Sequence, residues 1–560
     1  MKLLLRYLLL GAWVVSPSLW AWSNHTVGSY LALRELAAIR EAPQVEVEPL
    51  EAFLAAERDG LAALLDEQEA YARAHIGNYP ARPDTLRFAA DGEAGDLRQA
   101  FLAALRVNPE IRLALAIQPL PGQDQPQRPH LKPQEVLVFQ NLSPWTAWRF
   151  IRLEPGERVA PLAVLATAAD EPDYGHDINL FSDNPGEAGQ RYGFGTQPFG
   201  DPRFEFSSQA PFHMGFYHEA AVIYSGAPFL ARAWPEWRAY QYFGLSRFAF
   251  ANGHPYWGYR FLGWGMHYIQ DITQPYHSTP LPGASLAAML QMEGKALLGY
   301  PEEKQAAIER VANRHTAVEK YQFDWLRQLL RDGHPQPMLD AYADTRRDGA
   351  YPAYSPTYLR EVVAAESNAH AAAFDAAIGE WLAARPASAA QDFSESNQPR
   401  PETHDNAALN AQLIELIGHF GAHSRNIARA ALETEEGGEG VRGTADKRRI
   451  TASGYSPYGA GALSGVSGSC RANNAMALSA DVADERRMTA SGYSPCGAGA
   501  LSGVSGSCRA NNAMALSADV ADERRMTASG YSPCGAGALS GFSGSCRANN
   551  AMGVIRRCRG

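Results

Sequence analysis

The sequence predicts an all-α fold, and three observations carry that prediction. Apolar residues recur at helical spacing early in the chain. Val27, Leu31, Leu33 and Leu36 form one stripe running to about Arg40. Leu50, Phe53, Leu54, Leu61, Leu64 and Leu65 form a second across 48–73, and 93–107 reads as a third amphipathic helix. Next, two aromatic-rich stretches, 234–250 and 255–273, read as helices packed as a pair. Last, 358–384 and 406–433 read as helices that close the domain.

With 560 residues the chain can bury a large core and hold more than one domain. Its 46% hydrophobic and 20% charged residues fit a soluble globular protein. The formal net charge of -10 argues against a partner held mainly through its phosphate backbone, so no stable nucleic-acid partner is expected. Buried metal ions can still bind phosphate locally. The six cysteines (Cys470, Cys496, Cys508, Cys534, Cys546 and Cys558) all lie near the end. The rest of the chain therefore uses neither a disulfide framework nor a thiolate metal ligand.

Taken in order, the chain opens with a basic start, Met1-Lys-Leu-Leu-Leu-Arg6, an apolar run at 7–15 and then Ser16-Pro-Ser18. This reads as a signal peptide over 1–21, and it predicts a secreted protein, extracellular or periplasmic. The run is too short to cross a membrane, and no later stretch reaches about 18 apolar residues. Cleavage after Ala21 makes Trp22 the first residue, in Trp22-Ser-Asn-His25. Cleavage after Ser18 fits the small-residue rule better, because Leu19 is bulky three positions before the other cut. Residues 122–133 form a polar, proline-rich loop. The aromatic stretch 139–153, with Trp145, Trp148 and Phe150, reads as core or as a cover over a cleft.

Chemistry concentrates in Leu262-Gly-Trp-Gly-Met-His-Tyr-Ile-Gln-Asp-Ile-Thr-Gln-Pro-Tyr-His-Ser278. His267 and Asp271 are four apart and stack on one helix face. Pro275 cannot continue that helix, so the chain turns and returns His277 from another direction. Imidazole and carboxylate converging this way suit a borderline metal such as zinc. His315 and Glu319 repeat the four-residue pairing downstream. Upstream, 162–177 is a helix-like run ending in acids that include Asp170 and Asp173. Ala210-Pro-Phe-His213-Met-Gly-Phe-Tyr-His218 offers two more imidazoles, and the loop 179–208 borders the cleft.

With Gln274-Pro275-Tyr276-His277 attached, the segment resembles the central motif of the zinc-dependent phospholipase C and fungal single-strand nuclease superfamily. That motif is His-x3-Asp-x5-His with Gln-Pro or Thr-Pro before the last His, and positions 267, 271 and 277 have its spacing. The resemblance implies a mostly helical protein that cleaves phosphodiesters with three zinc ions in one cleft. It implies that the mature chain begins at Trp22, whose amine and carbonyl chelate one zinc together with His25. An α-amine titrates near neutrality, so it can offer a lone pair at pH 7. Ala-Thr-Ala-Ala-Asp170 resembles the nuclease form of the next ligand and Pro-Asp173-Tyr the phospholipase form; both stay open, Asp170 being the first choice. His213 is similarly the first choice over His218. Glu319 matches the phospholipase version, where the nuclease version has Asp.

The implied ligand sets are Asp170 or Asp173 with His213, His267 and Asp271; Trp22 and His25 with Asp271 as the bridge; and His277, His315 and Glu319. Asp170, Asp173 and Asp271 are the implied catalytic acids. The implied substrate is a phospholipid at a membrane surface. The alternatives are a single-strand zinc nuclease and a non-catalytic surface protein keeping a relic zinc site. The phosphodiesterase domain is expected over 22–433, and 41–160, longer than in compact relatives, is expected to be a helical insertion.

Thr-Ala-Ser-Gly-Tyr-Ser-Pro follows Ile450, Met488 and Met526, so the tail 434–560 repeats every 38 residues. The unit is rich in Gly, Ala and Ser and shows no amphipathic period, so a disordered, dispensable tail is expected. A cell-surface or oligomerising tail is the alternative.

Overall fold

The computed structural model describes residues 22, 24–89, 96–123, 127–142, 145, 148–200, 205–333, 336–384 and 406–433. The expected signal peptide (1–21) and the repeat tail (434–560) lie outside them. The fold is all-α, 63% helix against 3% strand. Among the described residues no helix is long and apolar enough to cross a membrane.

The first apolar stripe forms α1 (His25–Leu33), started by the Asn24 side chain accepting from the Val27 amide at 2.7 Å, and α2 (Ala37–Arg40). The second stripe is divided at Glu57 into α3 (Leu50–Ala56) and α4 (Arg58–His75); the third is α5 (Leu97–Leu105). Among the described residues, the remainder of the expected helical insertion is loop, short 3-10 turns such as Asp84–Leu86 and Pro133–Glu135, and short strand. Strand β1 (Val45–Glu46) pairs antiparallel with β5 (Arg158–Val159). β2 (Ala116–Ile117), β3 (His130–Leu131) and β4 (Phe150–Arg152) make a three-stranded sheet in the order β2-β4-β3. Pro119, Pro121, Pro129 and Pro133 explain the change, since each lacks the amide a helix interior needs.

After α6 (Pro161–Ala168) and the single turn α7 (Ala210–His213) come α8 (Pro235–Ala251) and α9 (Pro255–Ile272). A turn through Gly253, at φ +83°, joins the last two. Every residue of α9 from Tyr256 to Ile272 is buried. A helix buried on every face must be surrounded, and α6, α8 and α15 (Ala407–Leu432), the last helix among the described residues, enclose it. Between lie α10 (Pro275–Ser278), α11 (Leu286–Leu297), the long α12 (Glu302–Asp332), α13 (Pro337–Ala343) and α14 (Ala364–Ala383). Helix α1 packs against both α6 and α15, so the two ends of the described chain meet at the core.

Helix α9 approaches α6 so closely that Gly263 has no room for a side chain. A Cβ there would stand 2.6 Å from both Ala168 Cβ and the Leu165 carbonyl oxygen. Gly263→Ala is therefore expected to destabilise the protein by about 1–3 kcal/mol through overpacking. A thermal melt checks this, and an unchanged midpoint would contradict the crossing described.

Candidate metal centre

Helix α9 places His267 and Asp271 on one face, and α10 restarts the chain at Pro275 after Gln274 caps it by accepting from the Tyr276 amide at 2.6 Å. His277 then returns to the site. Its Nδ1–H donates to the His213 carbonyl at 2.7 Å, and the Gly215 amide donates to the His277 carbonyl at 2.8 Å. The segment carrying His213 and the one carrying His277 are thus stitched together through both main chains.

Four buried side chains, His25, Asp173, His213 and His267, gather around Asp271. Its Oδ2 lies 2.8 Å from His213 Nδ1 and 3.2 Å from His267 Nε2, which are 3.0 Å from each other. Asp173 Oδ1 is 3.7 Å from His213 Nδ1 and 3.8 Å from His267 Nε2. On the other side Asp271 Oδ1 faces His25 Nε2 at 3.3 Å, and His25 Nε2 is 3.9 Å from Asp173 Oδ2. Both Asp271 Oδ1 and His25 Nε2 are buried without a formed hydrogen bond. A buried polar atom left in that state is costly unless a further group completes it.

The opposite nitrogens of these rings are tied down. His267 Nδ1–H donates to the Ala169 carbonyl at 2.7 Å, and His25 Nδ1–H donates to Gln270 Oε1 at 2.8 Å. His213 Nε2 points at Asp177 Oδ2, 3.5 Å away. Asp177 is itself fixed by Arg238 at 2.6 and 2.9 Å and by the Tyr268 hydroxyl at 2.5 Å. Holding the far nitrogen of each ring sets the tautomer and directs the near lone pair inward.

A second gathering adjoins the first. His277 Nε2 and His315 Nε2 are 3.2 Å apart, His315 Nε2 is 2.7 Å from Glu319 Oε1, and His277 Nε2 is 4.0 Å from the same oxygen. His277 has committed its Nδ1–H to the His213 carbonyl, so its Nε2 lone pair meets another imidazole nitrogen. These donor sets could hold a metal ion.

Electrostatics divides the two sets. Burial pulls His25 and His213 down, but the surrounding carboxylates outweigh it and raise them to about 9 and about 10. Burial pushes Asp173 up, the neighbouring imidazoles opposing it. Burial also pushes on Asp271, where His267, His213 and His25 overcome it and hold the acid well below the usual carboxylate range. His277 is lowered by burial to about 4, and His315 is held well below its ordinary value by burial and by His277.

Of the residues singled out in the sequence, His25, Asp173, His213, His267, Asp271, His277, His315 and Glu319 are brought together. Trp22 is buried beside them, its indole N–H donating to the Gln270 carbonyl at 3.1 Å and to Thr273 Oγ1 at 2.9 Å. Asp170 stands behind the group. It accepts from the His25 amide at 2.9 Å, the Thr26 hydroxyl at 3.1 Å and Gln118 Nε2 at 2.5 Å, and so anchors the first turn of α1. His218 is exposed and apart, its Nε2–H donating to the Arg360 carbonyl at 2.7 Å. Sequence reasoning missed Asp177 and Gln270 as orienting residues. Gln270 stands three after His267 on the same helix, a spacing that could have flagged it. No family model, curated protein or solved structure matches this chain.

The two sets should load differently with pH. At pH 7 the metal-free His25 and His213 carry protons that an ion must displace. Affinity at their set is expected to rise roughly tenfold per pH unit for each displaced proton, levelling off above their raised values. His277 and His315 are already neutral at pH 7, so their set should be nearly insensitive to pH from 6 to 8. Zn2+ titration calorimetry in buffers of different ionisation enthalpy counts the protons released and separates the two classes.

Proposed function

We propose that this protein is an exported zinc-dependent phosphodiester hydrolase of the phospholipase C type, with phospholipids as its substrates. The observation that carries the reading is the convergence of buried imidazole and carboxylate donors around Asp271. Zinc sits about 2.0–2.1 Å from nitrogen and oxygen ligands, which in tetrahedral geometry puts neighbouring donors about 3.3 Å apart. The separations of 2.8–3.8 Å among Asp173, His213, His267 and Asp271 scatter about that value. So do the 2.7–4.0 Å separations among His277, His315 and Glu319. Trp22, as the first residue after cleavage at Ala21, would join His25 and Asp271 in a third set.

Bound zinc supplies a lowered pKa for water and positive charge against phosphate oxygens. The protein's own residues do the rest. Asp271 is the shared carboxylate, with one oxygen toward His25 and the other toward His213 and His267. Asp177, Gln270 and the Ala169 carbonyl orient the rings. Asp173, raised by burial, is suited to hold or pass a proton at its carboxylate.

A bilayer substrate is favoured by an exposed apolar surface on α11, the helix that packs against α12, which carries His315 and Glu319. Leu286 and Leu290 are about half exposed on α11, and Leu297, Leu298 and Tyr300 at its end are 74%, 78% and 65% exposed. Nearby charges are paired, Lys295 with Glu303 at 2.5 Å and Lys304 with Glu293 at 2.6 Å. Exposed clusters of large apolar residues mark interaction surfaces, here one that suits lipid better than a charged strand.

The test is direct. Mature full-length protein, sequenced from its first residue and assayed for zinc, is given phosphatidylcholine vesicles and, separately, denatured DNA. Release of phosphocholine supports the reading; cleavage of DNA alone turns it to a nuclease, and cleavage of neither overturns it. Asp271→Ala should lower kcat/KM by more than about a hundredfold, and Asp177→Asn by about 10–100-fold as expected for a group that only orients a ligand. Leu297→Asp with Leu298→Asp should depress turnover of vesicles and leave a soluble short-chain substrate unaffected, without moving the melting midpoint.

A further inference from the structure

Another set of metal-type donors lies where α14 faces α15, on residues that the phosphodiesterase reading does not use. Helix α14 carries Glu366 and His370, four apart; α15 carries Glu415, His419 and His423 at the same spacing. Each helix therefore turns one continuous face of imidazole and carboxylate toward the other. His370, Glu415 and His419 present donor atoms within 4.8 Å of one another, and the two rings stand 5.0 Å apart between centroids.

His419 is the informative residue. It is 4% exposed, and both of its ring nitrogens meet a carboxylate, Nδ1 at 3.2 Å from Glu366 Oε2 and Nε2 at 3.2 Å from Glu415 Oε1. A neutral imidazole has a single N–H. When Nδ1–H donates to Glu366, the Nε2 lone pair confronts a carboxylate oxygen, two acceptors with no proton between them.

Both acids are held in place. Glu366 accepts from the Tyr351 hydroxyl at 2.9 and 3.1 Å and from His423 Nε2 at 2.9 Å. Glu415 receives the two-pronged Arg347 guanidinium at 3.0 and 3.1 Å. His370 makes no hydrogen bond among the described residues and is only half-buried, so it is free to coordinate and the set is open to solvent.

We infer that His370, His419 and Glu415 form a further site for a divalent first-row transition ion, with Glu366 orienting His419 as a carboxylate behind a ligating imidazole. Two imidazole nitrogens and a carboxylate oxygen are the donors that such ions prefer, and one or more positions are left for water. The ion would clip α14 to α15. Helix α15 reaches the centre of the molecule, where Ser424 Oγ accepts from Gln270 Nε2 at 3.0 Å. The inference does not depend on the phosphodiesterase reading.

The test uses mature full-length protein, stripped with a chelator, dialysed against Zn2+ and analysed for bound metal. His370→Ala should hold one equivalent fewer than the unaltered protein and keep its phosphodiesterase activity. His370→Gln, with folding checked by circular dichroism, should lose the same equivalent. Asp271→Ala should retain this ion, seen as a Zn2+-dependent rise in melting midpoint that Asp271→Ala combined with His370→Ala lacks. Equal metal content in the unaltered protein and both His370 variants, with equal melting shifts, overturns the site. A protein that cleaves no phosphodiester would still show the missing equivalent if the inference holds.

Discussion

Asp271 is a completely buried carboxylate with imidazoles on both sides, and that constraint organises the molecule. Its oxygens stand within 3.3 Å of His25, His213 and His267. Burying such a charge is expensive unless its partners are close and held still. The surrounding structure meets this demand ring by ring: Gln270 fixes His25, the Ala169 carbonyl fixes His267, and Asp177 backs His213. Arg238 and Tyr268 in turn fix Asp177, so the support extends two residues deep from the acid it serves. A wholly buried helix enclosed by three others supplies the rigid platform for this.

Some of this was legible in the chain and some was not, for physical reasons. The helix carrying His267 and Asp271 was readable because its length, its aromatics and the proline that ends it all act locally. The four-residue spacing of His315 and Glu319 was readable in the same way. The choice between Asp170 and Asp173 was not, because it turns on one short 3-10 turn. Glu171–Tyr174 carries Asp173 round toward the imidazoles and leaves Asp170 facing the first turn of α1. The strands of residues 116–152 escaped notice because each is two or three residues long and owes its existence to a partner distant in sequence. Asp177 was hidden for a similar reason, since its role appears only when Arg238 arrives from another helix.

The first and last helices of the described chain also meet at one residue. The amide of Gln270 donates to Ser29 Oγ on α1 at 2.8 Å and to Ser424 Oγ on α15 at 3.0 Å, while its carbonyl oxygen receives His25. One side chain therefore reports on the packing of three helices. His25, in the first turn of α1, is aimed by a Gln270 side chain that is itself held by Ser424, some four hundred positions later. The geometry of the centre is for this reason tied to the packing of both ends of the described chain.

The paired bonds between the His213 and His277 segments, one from the His277 ring and one between main chains, carry a last consequence. The carbonyl of a residue in one donor set steers the ring of a residue in the other. Disturbance of either segment is passed directly to its neighbour, without relay through solvent or a flexible loop. Any ion that one set took up would therefore act on the geometry of the other, since the two share these bonds.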